Sequence, residues 1–170
     1  KIHQYFDIFP SYPTQRTQRP SEMQDSFESR VSVQSGSFQE NLIYIAFPIP
    51  DAKHEDIPAL DVLALILGQG ESSRLNVRLR MKKSLLNGVS CGTFTPKDPG
   101  LFAISASMPL KNLGTILDEI REELESVVAH PPSEEELHKA IININSDEFY
   151  AMETVDGMTR NFGNYEFLFN

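Results

Sequence analysis

The chain has no tryptophan, one cysteine and four histidines in 170 residues, and each scarcity removes a class of function. A single Cys91 excludes an internal disulfide and a cysteine-rich metal site; a bacterial cytoplasm and a periplasm are both compatible with it. The histidines are His3, His54, His130 and His138, and no two stand one helical turn apart. Neither HExxH nor its inversion HxxEH is therefore present, because only that spacing aims two imidazoles at one zinc ion. Positive charge is also short. Fifteen Lys and Arg against 24 Asp and Glu give a net charge of −9, which argues against a nucleic-acid partner. No apolar run approaches the roughly 20 residues of a membrane helix, so no membrane partner is expected. The most apolar stretch, Ala59 to Leu67, is interrupted by Asp61.

A hydrophobic content of 40% is enough for one substantial core. Residues 1–10 read as the end of a helix, with Ile2, Tyr5, Phe6 and Phe9 at helical spacing and Pro10 as its stop. Residues 11–26, rich in Pro, Gln, Thr, Ser and Arg, read as a linker, which leaves residues 27–170 as the domain. The chain opens at Lys1 without a methionine and stops inside a helical pattern, so both ends read as cut.

Within the domain, Ser29 to Ser35 and Asn41 to Pro48 carry enough β-branched and aromatic residues for two strands. Leu42, Tyr44 and Ala46 alternate with Ile43, Ile45 and Phe47, apolar on both sides, so the second strand is expected to be buried on both faces or central in its sheet. A helix follows, with Asp56 as cap and Pro58 in its opening turn, ending at Gly68-Gln69-Gly70. Ser72 or Ser73 can cap another helix to about Lys83, in which Arg74, Arg78, Arg80, Lys82 and Lys83 form a basic patch. Leu86 to Thr95 and Leu101 to Met108 flank the turn Pro96 to Gly100 as a hairpin. Leu113, Ile116, Leu117, Ile120, Leu124 and Val127 make the apolar stripe of an amphipathic helix whose wet side holds Glu119, Glu122 and Glu123. Ser133 with Glu136 is a capping box opening a helix with Leu137, Ala140, Ile141, Ile144 and Ala151 inward, and a last helix spans Val155 to Phe169. The expected class is α+β, an antiparallel sheet covered on one face by helices.

Candidate chemistry is sparse. His54-Glu55 begins like HExxH, but Pro58 occupies the partner position, which reads as a surface loop. Glu135 and His138 form a single Glu-x-x-His without the second copy a di-metal bundle needs. Cys91 lies mid-strand with no histidine near it in sequence and reads as a core residue. Gly68-Gln69-Gly70 follows a helix and lacks a lysine, so it reads as a turn between helices and not as a phosphate loop. By residue chemistry alone this is an α+β domain with no self-contained active site.

The stretch Pro58 to Leu75, an apolar helix, a glycine turn and then Ser72-Ser73-Arg74-Leu75, resembles the signature of the second domain of pitrilysin/insulinase (M16) zinc peptidases. Arg78-Leu79-Arg80-Met81-Lys82-Lys83 is similar to the family's Arg-Leu-Arg-x-x-Lys, and Glu148 to Gly157 resembles a helix near the domain's end. The resemblance implies a domain that has lost the zinc ligands and accompanies a zinc-binding domain; two such halves enclose a chamber for unfolded peptides. It implies zinc in the parent protein, none held by this chain, and peptide substrate, the zinc domain and the other half as partners. Residues 1–10 would then be the tail of the zinc domain. In some members such a domain supplies an arginine and a tyrosine seven residues apart to the substrate. Arg80 fits the arginine, while Asn87 stands at the tyrosine position. The strand Gly88, Val89, Ser90, Cys91, Gly92, Thr93 corresponds to one that can pair with an extended peptide in long members. There Gly88 and Gly92 allow either close backbone approach or a bulge. An M16-like structural or regulatory domain without peptidase activity is the alternative implied.

Overall fold

A computed structural model describes Tyr5, residues 7–9 and residues 28–169. The expectations for a leading helix and a linker fall mostly outside the described residues. Three strands, β1 (Asn41–Ile49), β2 (Gly88–Phe94) and β3 (Gly100–Met108), form an antiparallel sheet in the order β1-β3-β2. β2 and β3 are the expected hairpin, with Gly88 opposite Ser107 and Phe94 opposite Leu101 in unbroken register. The central strand alternates strictly: Phe102, Ile104, Ala106 and Met108 are buried, and the residues between them are more open. That alternation fixes which sheet face meets the helices, because successive side chains of a strand point to opposite faces.

The helices lie on that one face. α1 (Ile57–Gly68) packs on β2, and α2 (Leu113–Ala129) contributes the fully buried Ile116 and the nearly buried Ile120. α3 (Glu134–Ala151) rests against α1 through Ala140, followed by α4 (Val155–Phe169). The Ser133 capping box is present in full: its hydroxyl accepts from the Glu136 amide while the Glu136 carboxylate accepts from the Ser133 amide.

Several expectations are corrected. Ser29 to Ser35 is not a strand; Val31 and Val33 are 87% and 85% exposed. β propensity measures fit to a packed, hydrogen-bonded surface, and this segment lies outside the three-stranded sheet. β1 is an edge strand with one covered face, so Leu42 and Tyr44 are both 75% exposed, against the expectation of burial on both faces. Asp56 occupies the N-cap position of α1 without a side-chain capping bond. Ser73 does not cap by side chain either: its hydroxyl donates to the Gly70 carbonyl 2.7 Å away and accepts from the Asn76 side-chain amide at 2.9 Å.

The expected second helix is a π-helical segment, Asn76–Lys82. Leu75 and Leu79 anchor it in the core. It closes with the Ser84 amide on the Arg80 carbonyl and the Leu85 amide on the Leu79 carbonyl, each bond one residue longer than its counterpart in a Schellman motif, and Ser84 takes the left-handed φ of 48° that usually falls to glycine. Along α3, Leu137 and Ile141, expected inward, are exposed, and only Ala140 of that helix is buried.

Candidate functional site

The eight candidate residues lie at the end of the π-helical segment and along β2, and the strand's pleat divides them. Val89 and Cys91 point into the core at 8% and 4% exposure, and Thr93, half-buried, gives its hydroxyl to Asp61 of α1. Those three side chains support the strand from below. Gly88, Ser90 and Gly92 lie on the opposite, uncovered face. A Cβ at Gly92 would meet nothing within 4 Å, and one at Gly88 only the Ser107 hydroxyl at 3.8 Å. The register is unbroken from Gly88 to Phe94, which leaves backbone accessibility as the property of Gly92. At the start of β2 the Asn87 amide bonds to the Ser107 carbonyl at 2.8 Å, so Asn87 and Gly88 both oppose Ser107 as in a bulge. Ser90 shares a 2.8 Å hydroxyl bond with Ser105.

Burial pushes the Cys91 thiol up to about 12, so it is a protonated core residue at neutral pH and not a nucleophile. Gly68 presses on this strand from α1: a Cβ there would stand 2.4 Å from both the amide nitrogen and the sulfur of Cys91. The glycine turn that begins at Gly68 exposes carbonyls inward instead of amides. The Nδ2 of buried Asn76 lies 3.4 Å from the Gly68 carbonyl, 3.1 Å from Gly70, 3.2 Å from Val89 and 2.9 Å from the Ser73 hydroxyl. A ring of acceptors around one amide is no anion cradle. Beside it, the exposed Gln69 reaches the Cys91 carbonyl with its own side-chain amide at 3.4 Å. Neither Asn76 nor Gln69 stood out in the sequence. A polar residue among the core-facing positions Leu75 and Leu79 was the available signal for Asn76.

The basic patch is largely neutralised. Arg74 makes a bidentate pair with Glu136 at 2.6 and 2.8 Å. Arg78 spans Glu119, Glu122 and Glu123 at 2.8, 2.5 and 3.0 Å, and Lys83 also binds Glu119. Glu123, expected on the wet side of α2, is buried for that reason. The hydrogen bond from Arg74, aided by the Ser133 amide, holds the Glu136 carboxyl down at about 2. Lys83 and then Arg78 lower that of Glu119. An open hollow of about 510 Å³ is lined by Arg74, Arg78, Lys82, Lys83 and Glu123, but its two guanidiniums are already engaged. Arg80 differs. Its side chain is 48% exposed, and it meets the Glu71 carboxylate only at 3.8 Å, a side chain itself 80% exposed. Asn87, at the position a tyrosine would take, gives its amide to Glu40 at 3.0 Å.

Among the described residues no group of three His, Cys, Asp or Glu side chains could hold a metal. His54 folds back on its own loop, its Nδ1 accepting from the Asp56 amide at 3.2 Å, and Glu135 and His138 are solvent-exposed. No helix among them is long and apolar enough to cross a membrane.

Comparison with known proteins identifies the family to which this arrangement of sheet and helices belongs. The sequence profile described as the peptidase M16 inactive domain matches residues 1–144. This chain belongs to that family. An uncharacterised zinc protease of Streptomyces coelicolor is 29% identical over 108 residues, 64% of this chain and 24% of that protein. Zinc protease PqqE of Helicobacter pylori is 28% identical over 124 residues, 72% of this chain and 28% of its own length. The crystal structure of a protease from H. pylori superposes with a TM-score of 0.73 at 26% identity, covering 80% of this chain and 33% of that one. The chain thus spans about a quarter of the length of the curated relatives it matches. The M16 inactive domain has the α+β class and the zinc-protease kinship expected from the sequence.

Proposed function

We propose that this M16 inactive domain serves a zinc-dependent endopeptidase by walling the chamber in which peptides are cut and by positioning extended substrate. Zinc and the general base belong, in this reading, to a companion zinc-binding domain of the same protein or of a partner subunit. The observation that carries it is the contrast between Arg80 and its neighbours. Arg74, Arg78 and Lys83 are consumed by glutamates of the fold, whereas Arg80 is half-exposed with a long 3.8 Å contact to Glu71, in the segment that leads along the chain into β2, whose outer face carries Gly88, Ser90, Gly92 and Phe94. An available guanidinium suits a peptide carbonyl or carboxylate, and an accessible strand backbone suits an extended chain. Within the set Arg80, Asn87 and Gly88 to Thr93, direct contact falls to Arg80, Asn87, Gly88, Ser90 and Gly92. The inward Cys91 and Thr93 contribute through their backbone, and Val89 by supporting the strand from the core.

The test combines metal analysis with turnover. The isolated chain should hold no stoichiometric zinc by plasma mass spectrometry and cleave no unstructured peptide, while the parent protein should show chelator-sensitive cleavage. Arg80→Ala in the parent should lower kcat/KM about 10-fold or more, the loss of one charge-assisted hydrogen bond. Chelator-sensitive proteolysis by the isolated chain, or a parent indifferent to Arg80→Ala, would overturn the assignment.

A further inference from the structure

The free side of β2 is not empty. An antiparallel strand directs the N–H and C=O of alternate residues to the same side, and β2 pairs with β3 on one side only. Val89 and Cys91 are two residues apart, and both of their carbonyls are taken by side-chain amides from the α1 end of the domain, Asn76 and Gln69. The two occupants are unlike. Asn76 is buried and tied to three further acceptors. Gln69 is exposed, its bond to Cys91 is long at 3.4 Å, and its hold on α1 is by main chain, through its own amide to the Leu65 carbonyl at 3.2 Å. Swinging the Gln69 side chain away therefore costs one weak bond and leaves the helix end intact.

We propose that the Gln69 carboxamide is a displaceable plug on the β2 edge, holding the Cys91 carbonyl until an extended peptide donates its own N–H there. The primary amide offers the same donor a peptide strand would, in a position the strand would occupy. The partner is an unfolded polypeptide in β conformation, aligned along Cys91 to Phe94. Thr93 follows on the same side, and no side chain of a described residue reaches its main chain. Further back, the Asn76 contact closes the edge at Val89, so pairing runs only from Cys91 onward. This rests on the peptide-positioning role proposed above.

The experiment uses the 170-residue chain and a fluorescein-labelled octapeptide of alternating valine and serine, with an N-methylated copy as control. Gln69→Ala should bind the octapeptide about 2- to 10-fold tighter than the unchanged chain by fluorescence anisotropy, the competition of one hydrogen bond removed. The N-methylated copy should bind neither protein, and hydrogen exchange should slow at residues 91–94 in the complex. Gln69→Glu, which keeps the size and loses the donor, should shift affinity in the same direction. A purely structural Gln69 would lower stability and leave affinity unchanged. Binding by the unchanged chain with no gain in Gln69→Ala refutes the plug and leaves the positioning role standing. Binding by neither protein refutes both.

Discussion

Replacing Asn76 by alanine tests the junction on which the candidate surface stands. One carboxamide sits within 3.4 Å of three carbonyls and a hydroxyl, joining the α1 end, the glycine turn and β2. Its two N–H groups can satisfy two of the four acceptors well at any moment. Losing two such bonds at about 0.5–1.5 kcal/mol each, with at least one buried carbonyl left unsatisfied at about 1–3 kcal/mol, gives a destabilisation of about 2–6 kcal/mol. For a domain of this size that is on the order of 10 °C in Tm. Urea unfolding followed by circular dichroism should show the midpoint falling with the slope unchanged. Asn76→Asp should be worse at pH 7, because an ionised carboxylate would face the same carbonyls without a proton to give. Burial would raise its folded pKa above the unfolded value, so the deficit should shrink as pH falls and the carboxyl regains an O–H. An Asn76→Ala cost below about 1 kcal/mol, or an Asn76→Asp deficit independent of pH, would refute the role assigned to the amide.

Gly68→Ala should destabilise by about 1–3 kcal/mol in the same assay, since a methyl group would collide with the Cys91 backbone and force α1 off β2. A neutral outcome would mean that the helix end can slide. The Glu136 carboxyl, lowered from 4.5 to about 2 mainly by the Arg74 hydrogen bond, should titrate near 2 by carboxyl-carbon NMR and move up towards 4.5 in Arg74→Gln. A depressed folded pKa stabilises above the unfolded value, so this contribution should be complete above about pH 5 and vanish as pH falls from about 4.5 to 2. A Glu136 titration unmoved by Arg74→Gln would show the ion pair to be absent in solution.

The elements most legible in the sequence are those with local causes. The capping box at Ser133, the Pro96 to Gly100 turn and the stripe of α2 each contain their own stop, start or period, and each stands where expected except that Leu117 of the stripe is exposed. What failed depended on neighbours distant in sequence. Ser29 to Ser35 has strand-forming residues, but no local rule supplies a pairing edge. The double-sided apolar pattern of β1 reads as burial, yet its place in the order β1-β3-β2 leaves Leu42 and Tyr44 in solvent. Gly68 shows as a helix terminator in sequence, whereas its tighter constraint is contact with Cys91, 23 residues later.

The candidate surface was legible in outline, because Arg80 and β2 follow from the likeness to M16 domains. Which of five neighbouring cations remains available was not. An α-helix would turn Arg78 and Lys83 well apart, and a count of charges treats all five alike. In a helix closed by i→i+5 bonds, the residue five further on returns to the same side. Arg78 and Lys83 accordingly both reach Glu119, and Arg74, one turn earlier, reaches Glu123 and Glu136. Arg80, between Arg78 and Lys83, is directed away from α2 and is left with the long contact to Glu71. The wide helical segment thus sorts the basic patch into a part that fastens helices together and the exposed Arg80 and Lys82, and it is this sorting, not the number of cations, that makes Arg80, the guanidinium of that pair, the residue to test.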